Sequence, residues 1–416
     1  MYDTAERKER VVLIAVEKDG DADENLNELR LLAETAGAEE VGRVIQKREA
    51  VHSGHYLGKG KIDEVAALVA QADADAVIAD DELTSSQQKN LAKRIGVKVL
   101  DRTMVILDIF AARAQTAEGK AQVELAQLKY RLSHLAGLGV ALSRQAGVAA
   151  HGGVGNRGPG EKKLELDRRH IRSRINQLNR ELDEIRENRA LLRKKRERQN
   201  IPVVALVGYT NAGKSTLMNA ITDADVLAEN KLFATLDTTT RKVQLPGDGP
   251  EVLFTDTVGF INKLPHHLIQ AFRATLEELT FADVLVHVVD STAAGYRDQM
   301  RVVAETLSRL GCADRPVVVA MNKCDGGESG SLSGVFYISA RTGEGVSSLL
   351  GGVEKILLSL RRRIWVLLPY SCGALLSRIY AECKVLSVEN REDGTLLEIF
   401  ATSEIAGKVE EFLYGE

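Results

Sequence analysis

A multidomain α/β fold is predicted by three features of this 416-residue chain. Strand-like apolar runs alternate with helix-like stretches over residues 11–113, two heptad-spaced helices follow, and a second series of short apolar strands begins at Val203. Alternation of this kind builds parallel sheets covered by helices. The predicted order is a small α/β domain (1–115), an antiparallel helical hairpin with a glycine-rich connection (116–199), a P-loop domain with a parallel sheet (200–362), and a small α+β C-terminal domain (363–416).

Composition is that of an ordinary soluble protein, at 44% hydrophobic and 27% charged residues. The opening MYDTAERKER is too charged for a secretory segment, and no apolar run approaches the roughly 20 residues of a membrane span. The expectation is a cytoplasmic protein with no stable membrane insertion. Cys312, Cys324, Cys372 and Cys383 form no C-x-x-C pair and lie near no His at metal-ligand spacing, which reads as reduced structural thiols.

In the first domain VVLIAV, VGRVIQ, AVIAD and VKVLD read as strands. ENLNELRLLAETAG, the stretch from Lys61 to Ala72, and SSQQKNLAKRIG read as the helices between them. Leu57-Gly-Lys-Gly-Lys61 precedes a helix and could meet a phosphate, but it lacks the full P-loop pattern and reads as a surface loop.

The hairpin is predicted from Ala121, Leu125, Leu128, Leu132 and Leu135, whose alternating spacings of four and three form a heptad seam. Ile171, Ile175, Leu178, Leu182, Ile185 and Leu192 supply the partner seam, and one connection between two such helices makes them antiparallel. Residues 157–198 hold 15 Lys/Arg against 8 Asp/Glu, a local +7 in a chain of net charge −4. Inside the connection, Gly153-Val-Gly155-Asn-Arg-Gly158 matches G-x-G-x-x-G. Neither a buried strand before it nor a strand ending in an acid about 20 residues later is present, so the dinucleotide reading fails.

Chemistry concentrates further along. Val203–Val207 is a buried-strand run leading into Gly208-Tyr209-Thr210-Asn211-Ala212-Gly213-Lys214-Ser215-Thr216, which satisfies G-x-x-x-x-G-K-[ST] with a helix after it. Backbone N–H groups of such a loop wrap phosphates, Lys214 reaches the β and γ oxygens, and Ser215 offers a hydroxyl to Mg2+. Asp256-Thr257-Val258-Gly259 follows the strand VLFTD, setting Asp256 near the metal and the Gly259 N–H near the γ-phosphate. Asn322-Lys323-Cys324-Asp325 follows PVVVAM. The Asp325 carboxylate can accept both the ring N–H and the exocyclic amine of guanine, whereas adenine would leave it unpaired, so the nucleotide is GTP. Ser339-Ala340-Arg341 closes the base pocket. The domain is therefore a P-loop GTPase domain, with Lys214, Asp256 and Gly259 as catalytic candidates. Thr235, Thr238, Thr239 and Thr240 are the candidates for a second Mg2+ ligand in a switch segment. Phe260 stands where Ras-like enzymes use a Gln to orient water, which predicts slow intrinsic hydrolysis and stimulation by a partner.

GYTNAGKS, FATLD, DTVGF, NKCD and SAR, together with the upstream GNRGPGE and DRR, resemble the HflX family of translational GTPases over nearly the whole chain to about Arg361. The resemblance implies binding of the large ribosomal subunit and its RNA, action in splitting or rescuing stalled ribosomes under stress, and a monomer away from the ribosome. It implies Thr235 as the Mg2+ threonine, a nucleotide segment Phe233-Ala234-Thr235-Leu236-Asp237, and an apolar residue at Phe260 as a family trait. Asn211 matches an asparagine of relatives that respond to K+. Thr238 departs from the family, which often has Pro there. By charge, Arg144, Arg157, Arg193, Lys194, Lys195 and Arg196 are the RNA-contact candidates. Two alternatives stand beside this reading: an ATP-using RNA-remodelling enzyme with a second nucleotide site in the N-terminal domain, and a GTPase switch acting on a non-ribosomal partner.

Overall fold

In the computed structural model the described residues are 7–18, 22–146, 159–198, 201–222, 232–233, 235–236, 238–246, 249–263, 268, 276–325, 331–332, 334–360, 362–401 and 403–414. The chain divides into two compact units. One comprises Met1–Glu187 with Glu229–Asp237 and Ile261–Ala274; the other comprises Asn188–Ala228, Thr238–Phe260 and Thr275–Glu416.

The first unit opens with β1 (Glu9–Glu17), α1 (Ala22–Thr35), β2 (Ala38–Lys47), α2 (Lys59–Gln71), β3 (Ala76–Ala79), α3 (Ser85–Ile95), β4 (Lys98–Asp101) and α4 (Arg102–Arg113). The strands form a parallel sheet in the order β2-β1-β3-β4. The core of β1 is buried throughout, as a parallel strand covered on both faces must be. The predicted rhythm had no place for α4. Its sequence TMVILDIF is a solid apolar run without helical alternation, because most of the helix is buried, and it starts where Asp101 accepts a hydrogen bond from the Met104 N–H at 2.9 Å. At the start of α2, the Lys61 ammonium is held by Glu64 at 2.8 Å, in keeping with a surface loop there.

The predicted hairpin is present as α5 (Ala117–Ala146) and α6 (Pro159–Arg198). Leu125, Leu178 and Leu182 form its buried seam, flanked by Ala121, Leu128, Ile175 and Ile185. Arg174 makes a two-pronged contact with Glu124, both bonds 2.7 Å, and Arg168 reaches the Leu135 carbonyl at 3.1 Å, a register only antiparallel helices give. Arg157 lies outside the described residues. Arg144 and Arg193–Arg196 lie within the two helices, at positions whose side chains are outside the description.

At the carboxyl ends of β1 and β3, where the strand order reverses direction, open α/β sheets form a crevice. Here it is a cavity of about 250 Å³ lined by Val16, Asn25, Asp80, Asp81, Asn262 and Lys263. The Lys263 ammonium enters it, bonding Asp80 closely and Asp81 at 2.9 Å. Burial disfavours that charge, but the two carboxylates outweigh it and raise the ammonium above its ordinary value. Arg102, 2% exposed, pairs with Asp80 and with Glu28, each at 2.7 Å. Tyr56 donates to Asp81 at 2.8 Å and accepts from the Val16 N–H at 3.2 Å. Phe233 packs edge-on against Phe110 at 4.7 Å.

The second unit carries β5 (Val203–Gly208), α7 (Lys214–Thr222), β6 (Thr239–Gln244), β7 (Glu251–Asp256), β8 (Val284–Asp290), α8 (Tyr296–Arg309), β9 (Val317–Asn322), β10 (Ser331–Leu332), β11 (Val335–Tyr337) and α9 (Val346–Ser359). The sheet order is β10-β11-β9-β8-β5-β7-β6, parallel except where β6 meets β7 and β10 meets β11. Its strands bury Val204, Leu206, Phe254, Val286 and Val318 against Leu217, Leu349 and Val353 of the helices. The chain ends in an antiparallel sheet β12-β14-β13, formed by β12 (Arg362–Leu368), β13 (Lys384–Arg391) and β14 (Gly394–Ala401), with α10 (Gly373–Glu382) and α11 (Ser403–Lys408). Ile379 and Ile405 cover Leu397 and Ile399 there, which matches the predicted α+β appendage. Among the described residues no helix is long and apolar enough to cross a membrane.

Asp80 is the group on which this first-unit network converges, and removing one partner of a buried ion pair costs about 3–5 kcal/mol. Asp80→Ala should therefore strip hydrogen-exchange protection from β1, β3 and α4 while leaving α9 protected. Unchanged exchange in β3 would contradict that account.

Candidate functional site

The candidate residues of the second unit gather at the carboxyl ends of β5, β7 and β9. Val203–Gly208 forms β5 because every residue is apolar or glycine and both neighbours, β7 and β8, pair with it in parallel. The loop that follows turns into α7 at Lys214. Gly213 has φ 92°, and a Cβ on it would lie 2.2 Å from the Asn322 amide nitrogen, so only glycine fits. Asn211 (φ 61°) and Lys323 (φ 67°) also adopt the left-handed region that non-glycine residues seldom enter. Backbone of this kind persists where its surroundings enforce it, and it collects at ligand sites.

Lys214 is 6% exposed, and its ammonium donates to the Gly208 and Tyr209 carbonyls at 3.2 and 2.8 Å. Burial pushes it down to about 8, with Asp256 pulling the other way. Ser215 donates its hydroxyl to Asp256 at 2.8 Å, so the metal-ligand candidate Ser215 is joined directly to the carboxylate expected near the metal. Thr257 is fully buried and donates to the Leu206 carbonyl at 2.6 Å, tying the D-T-V-G turn to β5.

Phe260 bridges the two loops through its backbone. Its N–H donates to Gly208 O at 3.1 Å, and its carbonyl accepts from the Thr210 N–H at 2.8 Å. The ring is 2% exposed, as expected of a residue that packs and does not bind water. This clasp presses Gly259 against the P-loop: a Cβ there would lie 2.9 Å from the Lys214 Nζ and 2.9 Å from the Thr210 Cα.

Asn322 has a role the motif alone did not reveal. Its amide donates to the Ala212 carbonyl at 2.8 Å and accepts from the Ala340 N–H at 2.9 Å, joining the P-loop to the S-A-R loop. Asp325 is held by the Ser339 hydroxyl and by Arg341 at 2.8 Å, and Ser339 is itself buried. Lys323 pairs with Asp290 at 2.6 Å. Burial would raise the Asp290 carboxyl, but Lys323 and Thr292 hold it below its ordinary value.

Of the threonines between P-loop and Asp256, Thr239 and Thr240 are strand residues of β6, and Thr240 bonds Thr255 at 3.1 Å. Thr235 and Leu236 belong to the segment grouped with the first unit, as does Phe233, which is buried there. Ala234 and Asp237 lie outside the described residues. Sequence reasoning missed Asp290 and His287, although a lone His inside DVLVHVVD was a visible signal. His287 stands beside Val207 on β8, 7% exposed; burial pushes its imidazole down to about 4, with repulsion from Lys214 adding to the effect. The four cysteines are free, and among the described residues no cluster of His, Cys, Asp and Glu could hold a metal.

Three family descriptions match the chain in succession: GTP-binding GTPase N-terminal over residues 23–111, GTP-binding GTPase Middle Region over 113–196, and 50S ribosome-binding GTPase over 203–323. The GTPase HflX of Lacrimispora saccharolytica is 47% identical, covering 97% of this chain and 96% of its own. The GTPase HflX of Caldanaerobacter subterraneus subsp. tengcongensis is also 47% identical, covering 99% and 96%. A GTP-binding protein from Sulfolobus solfataricus, solved with GDP, is 23% identical with a TM-score of 0.44, over 85% of this chain and 99% of that one.

His287 carries a pH dependence whose sign is fixed. An unfolded chain takes up its proton near the ordinary value of 6.5, the folded one only near 4. Stability should fall as pH drops from 6.5 to 4, by up to roughly 3 kcal/mol, and this contribution should level off below. Urea midpoints at pH 7.5 and 4.5 for wild type and His287→Gln test this: the variant should lose less stability across the interval. Equal losses would refute the assignment.

Proposed function

As the chain belongs to the HflX family of GTPases, we propose that its hydrolysis of GTP switches binding to the large ribosomal subunit on and off. The GTP form binds the subunit, the subunit accelerates hydrolysis, and the GDP form leaves. In this role it acts in ribosome splitting, recycling or rescue under stress. The observation that carries the reading is the convergence of P-loop, D-T-V-G turn, N-K-x-D and S-A-R loops around β5, β7 and β9, knit by Asn322 and by the Ser215–Asp256 bond. The description 50S ribosome-binding GTPase over residues 203–323 supports the choice of partner. So does the excess of positive charge over residues 157–198, which phosphate backbones attract.

The P-loop N–H groups and Lys214 hold the β and γ phosphates, and the Gly259 N–H faces the γ-phosphate. Phosphate oxygens replace the Gly208 and Tyr209 carbonyls as partners of the Lys214 ammonium and keep it charged. The Ser215 hydroxyl beside a buried carboxylate is a hard-oxygen arrangement that suits Mg2+. Ser215 and Thr235 would hold the ion, which would neutralise charge on the transferring phosphoryl group. Asn211 would answer to K+. Asp325, oriented by Ser339 and Arg341, accepts both guanine donors. Arg144, Arg157 and Arg193–Arg196 meet ribosomal RNA, with residues 1–115 and 116–199 as the domains that reach it. Intrinsic turnover is slow, since Phe260 has no polar group for water.

GTP hydrolysis measured alone and with each ribosomal subunit should rise only with the large one, and faster in potassium than in sodium. Cosedimentation with that subunit should need a non-hydrolysable GTP analogue and fail with GDP. Nucleotide-independent binding would end the ribosomal reading. Asp325→Asn replaces one acceptor by a donor that faces a guanine donor. GDP affinity should fall by about 100-fold, the equivalent of about 3 kcal/mol for a lost charged hydrogen bond with its partner left unpaired. A titration with fluorescent GDP measures it.

A further inference from the structure

Several hydroxyls belong to the loops of the phosphate site. Ser215 donates to Asp256 and Thr257 to Leu206. Thr210 Oγ1, by contrast, is buried without a hydrogen-bond partner among the described residues, in a residue only 7% exposed. Burying a hydroxyl unpaired costs stability, and in a native protein such a group marks strain, a catalytic role or a place for a water or ion. Its setting says which. Thr210 packs on Gly259, whose missing Cβ would lie 3.0 Å from the Thr210 Cγ2 and 2.9 Å from the Lys214 Nζ. Under the function proposed above, Lys214 and Gly259 meet at the terminal phosphate, so Thr210 borders that same point.

The neighbouring groups leave a function unfilled. Phe260 has an apolar side chain, its N–H is committed to Gly208, and its carbonyl to Thr210. We propose that the Thr210 hydroxyl takes the task of orienting water: it accepts a hydrogen bond from the attacking water and donates one to a γ-phosphate oxygen. In the step, the water oxygen forms a bond to the γ-phosphorus while the bridging bond to the β-phosphate breaks. The electron pair of that bond leaves with GDP, and the water proton stays with inorganic phosphate. Thr210 gains and loses no proton; it is a catalytic residue by contact and alignment. GDP has no γ-phosphate, so this hydroxyl contributes to hydrolysis and to recognition of GTP and not to retention of GDP.

The proposal rests on the GTPase reading, and the test separates the two. Thr210→Val keeps the Cγ2 contact with Gly259 and removes only the hydroxyl, whereas Thr210→Ser keeps the hydroxyl. In the full chain, single-turnover GTP hydrolysis should fall on the order of 100- to 1000-fold in Thr210→Val, as for loss of one aligned donor, and recover to within a few-fold in Thr210→Ser. GDP affinity should stay within about 2-fold of wild type in both. Unchanged hydrolysis in Thr210→Val overturns the proposal and leaves the GTPase reading standing. Equal losses of GDP affinity and hydrolysis overturn it in favour of a role in loop shape. A wild-type chain that binds neither nucleotide would remove the underlying reading itself.

Discussion

Two backbone hydrogen bonds at Phe260 are the constraint on which the nucleotide site depends. Gly208 accepts one and Thr210 donates the other, so the chain after β7 runs as one further parallel bridge beside the chain after β5. Side chains can be exchanged without moving such a clasp, but the spacing it imposes leaves no room at Gly259 for a Cβ. The apolar ring at Phe260 follows from this. A residue whose backbone is tied on both sides, with its side chain driven into the core, gains from hydrophobic burial what a polar water-binding side chain would forfeit. The choice of Phe over Gln is thus a choice of rigid loop over built-in water binding.

Asn322 applies the same logic to the base end. An amide can donate and accept at once, and here it does both with main-chain groups of two other loops. Aspartate, able only to accept, could not hold Ala212; leucine could hold neither. The position of Asp325 three residues on is then inherited from a fixed backbone, and Ser339 and Arg341 set the carboxylate orientation. Placing an acid in advance lowers the ordering cost when a base arrives.

Much of this was legible in the sequence, and the limits were physical. Uninterrupted apolar runs disclosed the strands and the heptads disclosed the hairpin, because each pattern reports which face is buried, and the single connection between the two helices disclosed its antiparallel sense. The helix α4 escaped, since a helix buried nearly all round has no amphipathic period to read. The P-loop, D-T-V-G and N-K-x-D motifs were legible because local backbone geometry demands particular residues. Partnerships formed at long range were not: nothing near Phe233 announces Phe110, and nothing in Asn262-Lys263 announces Asp80, 183 residues away. Such pairs depend on tertiary position alone.

The two parallel sheets show how one topology yields opposite chemistry. In each, a crevice opens at the carboxyl end of a strand flanked on both sides, β1 in one and β5 in the other. Around β5 the crevice offers main-chain N–H groups and the Lys214 ammonium, a setting for anions. Around β1 it offers Asp80 and Asp81 and is entered by the Lys263 ammonium. A phosphate brought to the β1 crevice would face two carboxylates and would have to displace a lysine that they hold. Of Lys59 and Lys61, the two lysines at the start of α2, Lys61 is engaged by Glu64. Electrostatics therefore favours a phosphate at the β5 crevice over the β1 crevice, which receives a cation from its own chain.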